Sequence, residues 1–503
     1  MEFSEPSESQ ELHVRARTTR HDPTDDDSEV DTATSSSSEL ESLLGKDSDL
    51  DTGAMVIIVD DEDDSKRERR AIIKLAQPKR KTKKNNPSNS NSPSTASSSS
   101  SSTSSNSKDK VLFLDGVRGL AAIGVLVQHS HWFGYNFGQN GVDTFFVLSA
   151  FLLTSIFDRK AQHLLARRAG LVSWSCALVD YFMRRLLRVY PLFALVAAFI
   201  WWLPLERRKQ YFISGDATKY DLEKVLTFEM GSRYHVFWTL PVEIGYYFVI
   251  PGLVTALAMV GRAWPVPIVL LFIWVVQEGL HTSRGPHQPL RPHLMTFVAG
   301  SIAAIVQNRL ADLVRERGFE FQWFHRVAVR VFEYTVLGFL LSLMYGGLFF
   351  DWVMANPAPK KPGGSAFIAV HVATIMAIEM LVPGPVSSFF EWSLFRFWGK
   401  ISYSMYLLHS FVCYDVVLNR EPRVNQYVSY LVLTSLLSMV SYHLVEVPLQ
   451  HVATHVGQKI KAFELRYSNV VAITTAAAAA SASSASSSAS ASSSVNATAL
   501  LPK

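Results

Sequence analysis

The stretch LDGVRGLAAIGVLVQHSHWF at residues 114–133 decides the fold class, because it sets ionisable side chains within an apolar, membrane-like segment. These side chains belong to Asp115, Arg118, His129 and His131. A charged group at the bilayer centre costs about 3 kcal/mol on insertion scales. Groups of this kind usually face a bundle interior or a wet cavity, and they mark function by default.

Ten segments of the chain are candidate membrane helices, which need about 20 mostly apolar residues. The second of them is short, and the eighth contains His371 and Glu379, so these two are the most marginal. The sequence therefore predicts an all-α fold, a polytopic transmembrane helix bundle of about ten spans. The segments are residues 111–132, 141–158, 189–205, 237–260, 264–281, 290–307, 329–350, 366–383, 400–418 and 427–447.

Two polar ends flank this apolar part of the chain. Residues 1–108 are rich in Ser, Asp, Glu, Lys and Asn, and residues 468–497 are dominated by Ala and Ser. Such segments lack the apolar surface that offsets ordering entropy, so we predict disordered tails. The predicted organisation is a tail at residues 1–108, a membrane domain at 109–455 and a C-terminal tail at 456–503. No N-terminal signal peptide is recognisable, so we expect the first span to direct insertion.

The distribution of Lys and Arg between the loops indicates the orientation of the bundle. The loops at residues 158–188 and 309–326 are the most basic short loops near span ends, and such loops stay in the cytoplasm. With an even number of spans, both termini are then cytoplasmic. Arg118 lies toward that side of the membrane, and His129 and Glu243 lie toward the opposite side.

Arg118 and His129 are the first candidate site residues. They are eleven residues apart, which places them within about 20° of the same helix face and about 16 Å apart along the axis. Asp115 lies three residues before Arg118, close enough on a helix for an ion pair. The two interpretations are a structural ion pair with a hydrogen-bonded core histidine, and a functional stripe that faces a cavity.

The stretch RRLLRVYP at residues 184–191 opens the predicted third span and supplies two more candidates. Arg185 and Arg188 are about one helical turn apart, and a guanidinium donates two parallel hydrogen bonds to a phosphate. We therefore expect the pair to bind an anionic cytoplasmic ligand. Anchoring of the span by positive charge at its cytoplasmic end is the alternative interpretation.

Glu243 lies in the first turns of the fourth predicted span. In the predicted topology the first span rises to His129 and the fourth descends from Glu243, so the two side chains lie at similar depth. A histidine and a carboxylate at one depth suit a general base and its orienting partner. Stabilisation of the carboxylate by the helix N-terminus is the alternative interpretation.

Other polar residues have roles that the sequence leaves open. Ser402 and His409 are seven residues apart on one helix face, where they either line a cavity or, as we favour, hydrogen-bond neighbouring helices. Asp143 is interpreted as a first-turn acid of the second helix. Cys176 and Cys413 are too few for a disulfide framework. The sequence has no zinc-ligand spacing, Walker loop or nucleic-acid-binding patch.

Six stretches together resemble the successive motifs of the membrane acyltransferase 3 family, in that family's order and over most of residues 110–450. The resemblance implies about ten spans and the transfer of an acyl group, often acetyl, from acyl-CoA to hydroxyls of sugars, lipids or small molecules. The stretches are LDGVRGLAAIGVLVQH (114–129), GVDTFFVLSAFLL (141–153), RRLLRVYP (184–191), FWTLPVE (237–243), ISYSMYLLH (401–409) and VEVPL (445–449).

The resemblance also implies roles for the candidate residues. His129 is the catalytic histidine with Arg118 in the same site, Glu243 is the motif glutamate, and Arg185 and Arg188 serve the acyl-CoA. The implied partners are an acyl-CoA donor, acetyl-CoA above all, a hydroxyl-bearing acceptor and membrane lipid, with no metal and no nucleic acid. We expect an integral multi-pass O-acyltransferase. A transporter or ion-coupled membrane protein is the alternative, because it too places His, Arg and Glu inside helices.

The sequence departs from the family pattern at two positions. Ala150 stands where Gly is usual, a small-for-small change that we expect to be tolerated. Pro241 stands where bacterial members often have Ser, which removes a hydroxyl near the predicted site and is expected to shift acceptor choice. The sequence shows no appended extracellular esterase-like domain, so we expect no acyl carrier step in such a domain.

Overall fold

The structure is a computed structural model that describes residues 105–130, 137–212, 216–229, 234–282, 284, 288–356 and 367–496. Within these ranges all regular secondary structure is helical, which confirms the predicted all-α class. The predicted disorder of the N-terminal tail falls, up to residue 104, outside the described part of the chain.

The bundle is built from long helices joined by shorter helical segments. The principal helices are α1 (Ser105–His129), α2 (Phe137–Ala166), α3 (Leu171–Trp202), α4 (Thr239–Met259), α5 (Pro265–His281), α6 (Leu290–Glu316), α7 (Trp323–Met344), α8 (Ile368–Leu381), α9 (Ser402–Cys413), α10 (Arg423–Ser441) and α11 (Val447–Asn496). The shorter segments are Leu205–Lys209, Ala217–Lys219, Leu222–Leu226, His235–Trp238, Gly261–Ala263, Trp352–Ala355, Pro385–Phe390, Ser393–Lys400 and Leu418–Arg420. The C-terminal tail predicted from residue 456 begins inside α11, and residues 468–496, predicted to be disordered, are helical in the structure.

Eight helices in the described part of the chain are long and apolar enough to cross a membrane, and the chain is a multi-pass membrane protein. They are α1 to α7 and the continuous helix that begins with α10. The other two predicted spans correspond to α8, with 14 residues, and α9, with 12 residues. At 1.5 Å per residue these helices are about 21 and 18 Å long, less than the roughly 30 Å hydrocarbon core.

The two short helices nevertheless run alongside long ones. α8 is antiparallel to α7, because Glu379 near its end pairs with Arg330 near the start of α7. Its first turn carries His371, whose ring centroid lies 6.5 Å from that of Phe339 toward the end of α7.

The carboxylate of Glu379 also accepts hydrogen bonds from two backbone amides after α8. These are the amide of Gly384, at 2.7 Å, and the amide of Ser387, at 3.1 Å. These partners explain how a carboxylate is accommodated in α8, since buried charges are tolerated when they are paired.

Two helices extend well beyond the spans predicted for them. α2 covers Phe137–Ala166 instead of 141–158, and its polar residues have partners on α6, such as Thr154, whose hydroxyl lies 2.7 Å from that of Ser301. Hydropathy counts such residues as if they faced lipid, so it shortened the predicted span. Asp143 lies in the second turn of α2, rather than the first turn as predicted, and its carboxylate accepts a hydrogen bond from buried Arg284 at 2.7 Å.

α3 begins at Leu171, not near residue 189 as predicted. Arg185 and Arg188 therefore lie in the middle of a helix that continues in both directions, rather than at its opening. The charged arginines lower the hydropathy of this segment, so the predicted span started after them, although the helix itself continues through them. This correction moves the pair from the predicted start of the helix to its middle.

α1 is held by close backbone contact with the helix Ser393–Lys400. A Cβ atom on Gly119 would lie 2.0 Å from the carbonyl oxygen of Phe395, and one on Gly399 would lie 1.9 Å from that of Asp115. These are distances that only glycine permits, so the two helices can touch through their backbones. The contact fixes the part of α1 that carries the first candidate arginine.

α10 continues into α11 through the π-helical turn Tyr442–Glu446. Pro448 follows two residues later, and a proline inside a helix cannot donate a hydrogen bond and clashes with the carbonyl four residues earlier. A π-helical turn lets the helix pass such a residue without ending. The turn places Glu446 inside the bundle, where the hydroxyl of Ser404 donates to its carboxylate.

Candidate functional site

A cavity of about 110 Å³ lies between α1, α2, α3, α4 and α9. Apolar and aromatic side chains form much of its wall, and Phe145 and Tyr406 are among them. Its polar lining brings together four of the five predicted site residues. The ionisable and hydroxyl-bearing side chains of this lining include Arg118, Arg185, Arg188, Glu243, Ser149, Tyr247 and Ser402.

Arg118 projects from α1 into this cavity. Its guanidinium donates a hydrogen bond to the carboxylate of Asp115 at 2.8 Å, which confirms the ion pair expected from their spacing. Both side chains are largely buried, at 13% and 15% exposure. Of the two side chains only Arg118 lines the cavity, so Asp115 pairs with it from outside the lining.

Arg185 and Arg188 approach the cavity from the middle of α3. The Nε atom of Arg185 is buried and has no hydrogen-bond partner in the described part of the chain. α3 runs on for several turns on either side of this pair. A buried guanidinium N–H without an acceptor is costly, so this atom is a point at which an acceptor would be stabilising.

Glu243 lies in the second turn of α4, close to where the sequence placed it. One oxygen of its carboxylate accepts hydrogen bonds from the hydroxyls of Ser149 and Tyr247, both at 2.6 Å. Among the described residues, the cavity lining thus contains three guanidinium groups and one carboxylate. Glu446 interacts electrostatically with Arg188 from outside the lining. Positive groups therefore outnumber negative ones on the cavity surface itself.

His129, the last residue of α1, is not among the described residues that line the cavity. Its Nδ1 atom lies 2.8 Å from the hydroxyl of Tyr414, and its ring centroid lies 4.9 Å from that of His409. The carboxylate of Glu243 is instead held by the hydroxyls of Ser149 and Tyr247. In the structure, Tyr414 is thus a partner of the histidine, and Ser149 and Tyr247 are partners of the glutamate.

His129, His409 and Tyr414 form a histidine cluster, which His409 connects to the cavity. Its ring centroid lies 6.0 Å from that of Tyr406, which lines the cavity. The Nδ1 atom of His409 is 2.8 Å from the carbonyl oxygen of Tyr406 in its own helix, and not on a neighbouring helix as we expected from the sequence. Ser402 lines the cavity, and its hydroxyl donates to the carbonyl of Gly399, three residues earlier in the chain, at 2.9 Å.

Three residues of the site were missed in the sequence. Ser149 lies in a quoted family-like stretch, but nothing in that stretch links it to Glu243. Tyr247 follows Glu243 by four residues, a spacing that places both on one helix face and could have indicated the contact. Tyr414 is 285 residues from His129 in the chain, so only the folded structure reveals it.

A sequence profile described as "Acyltransferase domain", that of the acyltransferase 3 family, matches residues 111–443. The "Putative peptidoglycan O-acetyltransferase YrhL" of Bacillus subtilis (strain 168) is 23% identical over 376 residues, which cover 67% of this chain and 54% of that protein. The "O-acetyltransferase OatA" of Staphylococcus aureus (strain NCTC 8325 / PS 47) is 23% identical over 372 residues, covering 67% and 57%. The chain thus spans little more than half the length of these relatives. No solved structure matches it.

Proposed function

The chain belongs to the acyltransferase 3 family, and from this premise we propose that it is an integral-membrane O-acyltransferase. The proposed reaction moves an acyl group, acetyl in the first instance, from acyl-CoA to a hydroxyl group. The proposal assigns the donor to the arginine-lined cavity and the proton transfer to the cluster around His129.

The observation that carries the donor assignment is the cavity lined by Arg118, Arg185 and Arg188 inside an apolar bundle. CoA is an anion with several phosphate oxygens, and the arginine fork matches the geometry of such oxygens. A buried polar donor without an acceptor costs about 1–3 kcal/mol, and the Nε atom of Arg185 is such a donor. A phosphate oxygen at this point would remove that cost, so an anionic donor suits the cavity.

The names of the relatives support a carbohydrate acceptor. One is named for O-acetyl transfer to peptidoglycan and the other as an O-acetyltransferase. We propose that this chain acylates a carbohydrate hydroxyl. The acceptor approaches from the end of α1 that carries His129, the side opposite to Arg118. In the proposed topology both termini are cytoplasmic, so the donor enters from the cytoplasm and the acceptor meets it from the other side.

His129 is the proposed general base, because an imidazole titrates near neutral pH. Its nitrogen accepts the proton of the acceptor hydroxyl while that oxygen forms a bond to the thioester carbonyl carbon. The carbon–sulfur bond then breaks, and the CoA thiolate leaves with the proton from the imidazolium. Arg118 and His129 are about 16 Å apart along α1, a span that the extended pantetheine arm of CoA covers.

Glu243 has a different role in this proposal from the one that the sequence suggested. Its carboxylate lies among the arginines and is held by Ser149 and Tyr247. It also interacts electrostatically with Arg118 and Arg185. We propose that it keeps the guanidinium groups apart and oriented for the donor, since like charges crowded in a bundle repel.

The test uses the full chain purified into lipid nanodiscs, with acetyl-CoA labelled in the acetyl group and a panel of oligosaccharide acceptors. We expect label to appear in an alkali-labile ester on an acceptor, and free CoA thiol to be released in equal amount. The matched control is the same preparation carrying His129→Ala, which retains the arginine-lined cavity.

The same assay distinguishes the transporter alternative. A transporter would carry labelled solute into sealed proteoliposomes without forming an ester. Transport without ester formation across the acceptor panel, in protein that binds acetyl-CoA, would overturn the proposed function.

A further inference from the structure

Two aromatic side chains lie where the arginine-lined cavity adjoins the histidine cluster. The ring of Phe145 on α2 meets that of Tyr406 on α9 at an interplanar angle of 64°, with centroids 6.3 Å apart, and both rings line the cavity. The ring centroid of His409 lies 6.0 Å from that of Tyr406 and 4.9 Å from that of His129. A short series of ring contacts thus connects the cavity wall with His129.

Phe145 also reaches the part of α1 that carries His129. It packs against the main apolar core of the bundle and against a smaller apolar cluster that contains Leu126. Leu126 lies about one helical turn before His129. Phe145 therefore extends from the cavity lining to the side of α1 near the histidine.

The rings of Phe145 and Tyr406 leave no opening between them. Edge-to-face aromatic pairs in contact have centroids about 4.5–7 Å apart, and this pair lies within that range. A carbon chain needs about 3.5–4.0 Å between its atoms and each atom that it passes. A group that enters between the two rings must therefore displace one of them.

The two rings are held in place by different interactions. The hydroxyl of Tyr406 donates a hydrogen bond to the backbone carbonyl of Val236 at 3.1 Å, so displacement of this ring breaks that bond. Phenylalanine has no hydrogen-bonding group in its side chain, and packing alone holds the ring of Phe145. Phe145 is thus the ring that turns aside more easily, and its size determines the space that opens.

The proposed reaction brings the donor close to this pair. A general base lies about 2.6–3.2 Å from the hydroxyl that it deprotonates, and the hydroxyl oxygen lies about 3–3.5 Å from the carbon that it attacks. The thioester carbon is then within about 7 Å of His129. A donor held by the cavity arginines reaches this point through the part of the cavity that Phe145 and Tyr406 line.

We infer that Phe145 and Tyr406 form a neck between the arginine-lined cavity and His129, and that Phe145 limits the size of the acyl group accepted there. The inference rests on the proposed function, because a thioester must meet His129 for the neck to hold an acyl group. An acetyl group needs little displacement of Phe145, whereas a butyryl group keeps the ring turned away from its packing partners. The neck therefore selects short acyl groups.

The first experiment compares acetyl-CoA and butyryl-CoA as donors for the full chain in lipid nanodiscs, with the oligosaccharide acceptors. In the wild type kcat/KM should be at least about tenfold lower for butyryl-CoA, the discrimination that a tight apolar site achieves for added methylenes. Phe145→Ala should raise the butyryl-to-acetyl ratio about tenfold. Phe145→Leu removes less of the side chain and should raise the ratio by a smaller factor, which makes the effect graded.

The matched control is Phe151→Leu. Phe151 lies on the same helix, is fully buried and is not among the described residues that line the cavity. This substitution removes the same side-chain volume as Phe145→Leu, so it reports the general effect of a smaller side chain in α2. Its butyryl-to-acetyl ratio should equal that of the wild type. Thermal unfolding of the two leucine variants shows whether both are folded.

A second readout needs no turnover. Equilibrium binding of acetyl-CoA and butyryl-CoA is measured on the same preparations without acceptor. The wild type should bind acetyl-CoA more tightly than butyryl-CoA, and the difference should shrink in Phe145→Ala. Phe151→Leu should keep the wild-type difference.

The outcomes separate this inference from the proposed function. An unchanged butyryl-to-acetyl ratio in active Phe145→Ala protein, or an equal change in Phe151→Leu, overturns the role of Phe145 and leaves the proposed function standing. If Phe145→Ala is unfolded, the ratio measured for Phe145→Leu decides in the same way. If the wild type transfers no acyl group at all, the proposed function fails, and the binding measurements decide whether Phe145 limits the acyl group.

Discussion

The arginine-lined cavity and the histidine cluster differ in the kind of side chains that they bring together. The polar lining of the cavity contains four charged side chains, Arg118, Arg185, Arg188 and Glu243. In the cluster, His129 contacts the neutral phenol of Tyr414 and the ring of His409. The two regions share α1 and meet through Tyr406. Four of the five residues expected to form one site line the cavity, and our proposal gives them the donor and gives His129 the proton transfer.

The largest effect is expected from His129→Ala. Loss of the general base should lower kcat by about a hundredfold to ten-thousandfold, and acetyl-CoA should still bind because His129 does not line the cavity. Steady-state transfer and equilibrium binding of acetyl-CoA measure the two effects. A kcat above one tenth of the wild-type value would show that His129 is not the general base. Loss of acetyl-CoA binding would show that His129 belongs to the donor site as well.

A smaller effect, mainly on the KM for acetyl-CoA, is expected from Arg185→Ala and Arg188→Ala. Each should raise the KM for acetyl-CoA about tenfold, equivalent to about 1.4 kcal/mol, with a much smaller change in kcat. Lysine at either position should rescue only part of the loss, because it lacks the planar fork.

The chain offers a matched control for this pair. Arg184 is the adjacent arginine on α3, pairs with Asp180 at 2.9 Å, is 42% exposed and does not line the cavity. Arg184→Ala should leave the donor KM unchanged. Equal effects of all three substitutions would mean that general positive charge on α3, and not the cavity, attracts the donor.

Glu243→Gln should have a moderate effect that falls on the donor side. Glutamine retains an acceptor for Ser149 and Tyr247 but removes the negative charge among the arginines. We expect kcat/KM for acetyl-CoA to fall about threefold to tenfold, equivalent to roughly 0.7–1.4 kcal/mol. The kcat at saturating acetyl-CoA should not change. A lowered kcat would show that Glu243 acts on His129 after all, as the sequence suggested.

The smallest effect on activity is expected from two cysteine substitutions that report on the sides of the membrane. Asn356 precedes α8, Ser393 follows it, and both are exposed, whereas Cys176 and Cys413 are buried. Asn356→Cys and Ser393→Cys should keep activity within about twofold, since substitutions at exposed sites change stability little. They should react with an impermeant maleimide from opposite sides of sealed vesicles. Labelling from one side would mean that α8 does not cross, and the assignment of the two regions to opposite membrane faces would need revision.

The sequence predicted the fold class and most of the cavity for reasons that are local. The Asp115–Arg118 pair follows from helical spacing, and the exclusion of charges from lipid placed both inside the bundle. The bounds of α2 and α3 could not be predicted, because hydropathy does not show whether a polar residue faces lipid or a partner. The start of α3 at Leu171 depends on packing of the whole bundle.

The histidine cluster could be predicted only in part. His129 and His409 both lie in family-like stretches, but nothing along the chain indicates that their rings are in contact. The contact of His129 with Tyr414 depends on how α9 lies beside α1. A side chain's partner in a bundle is set by the rotation of each helix about its axis, and depth along the membrane normal does not reveal that rotation.

The π-helical turn Tyr442–Glu446 sets the phase of everything that follows it. A helix rotates by about 100° for each residue, so removing one residue from this turn would restore an α-helical ladder and swing α11 around by that angle. Glu446 would then lose Ser404, and Gly457, which lies directly against the side chain of Arg184, would turn a different face to α3. The turn therefore sets the orientation of α11 about its own axis. Insertion or deletion of a single residue in this segment would change that orientation.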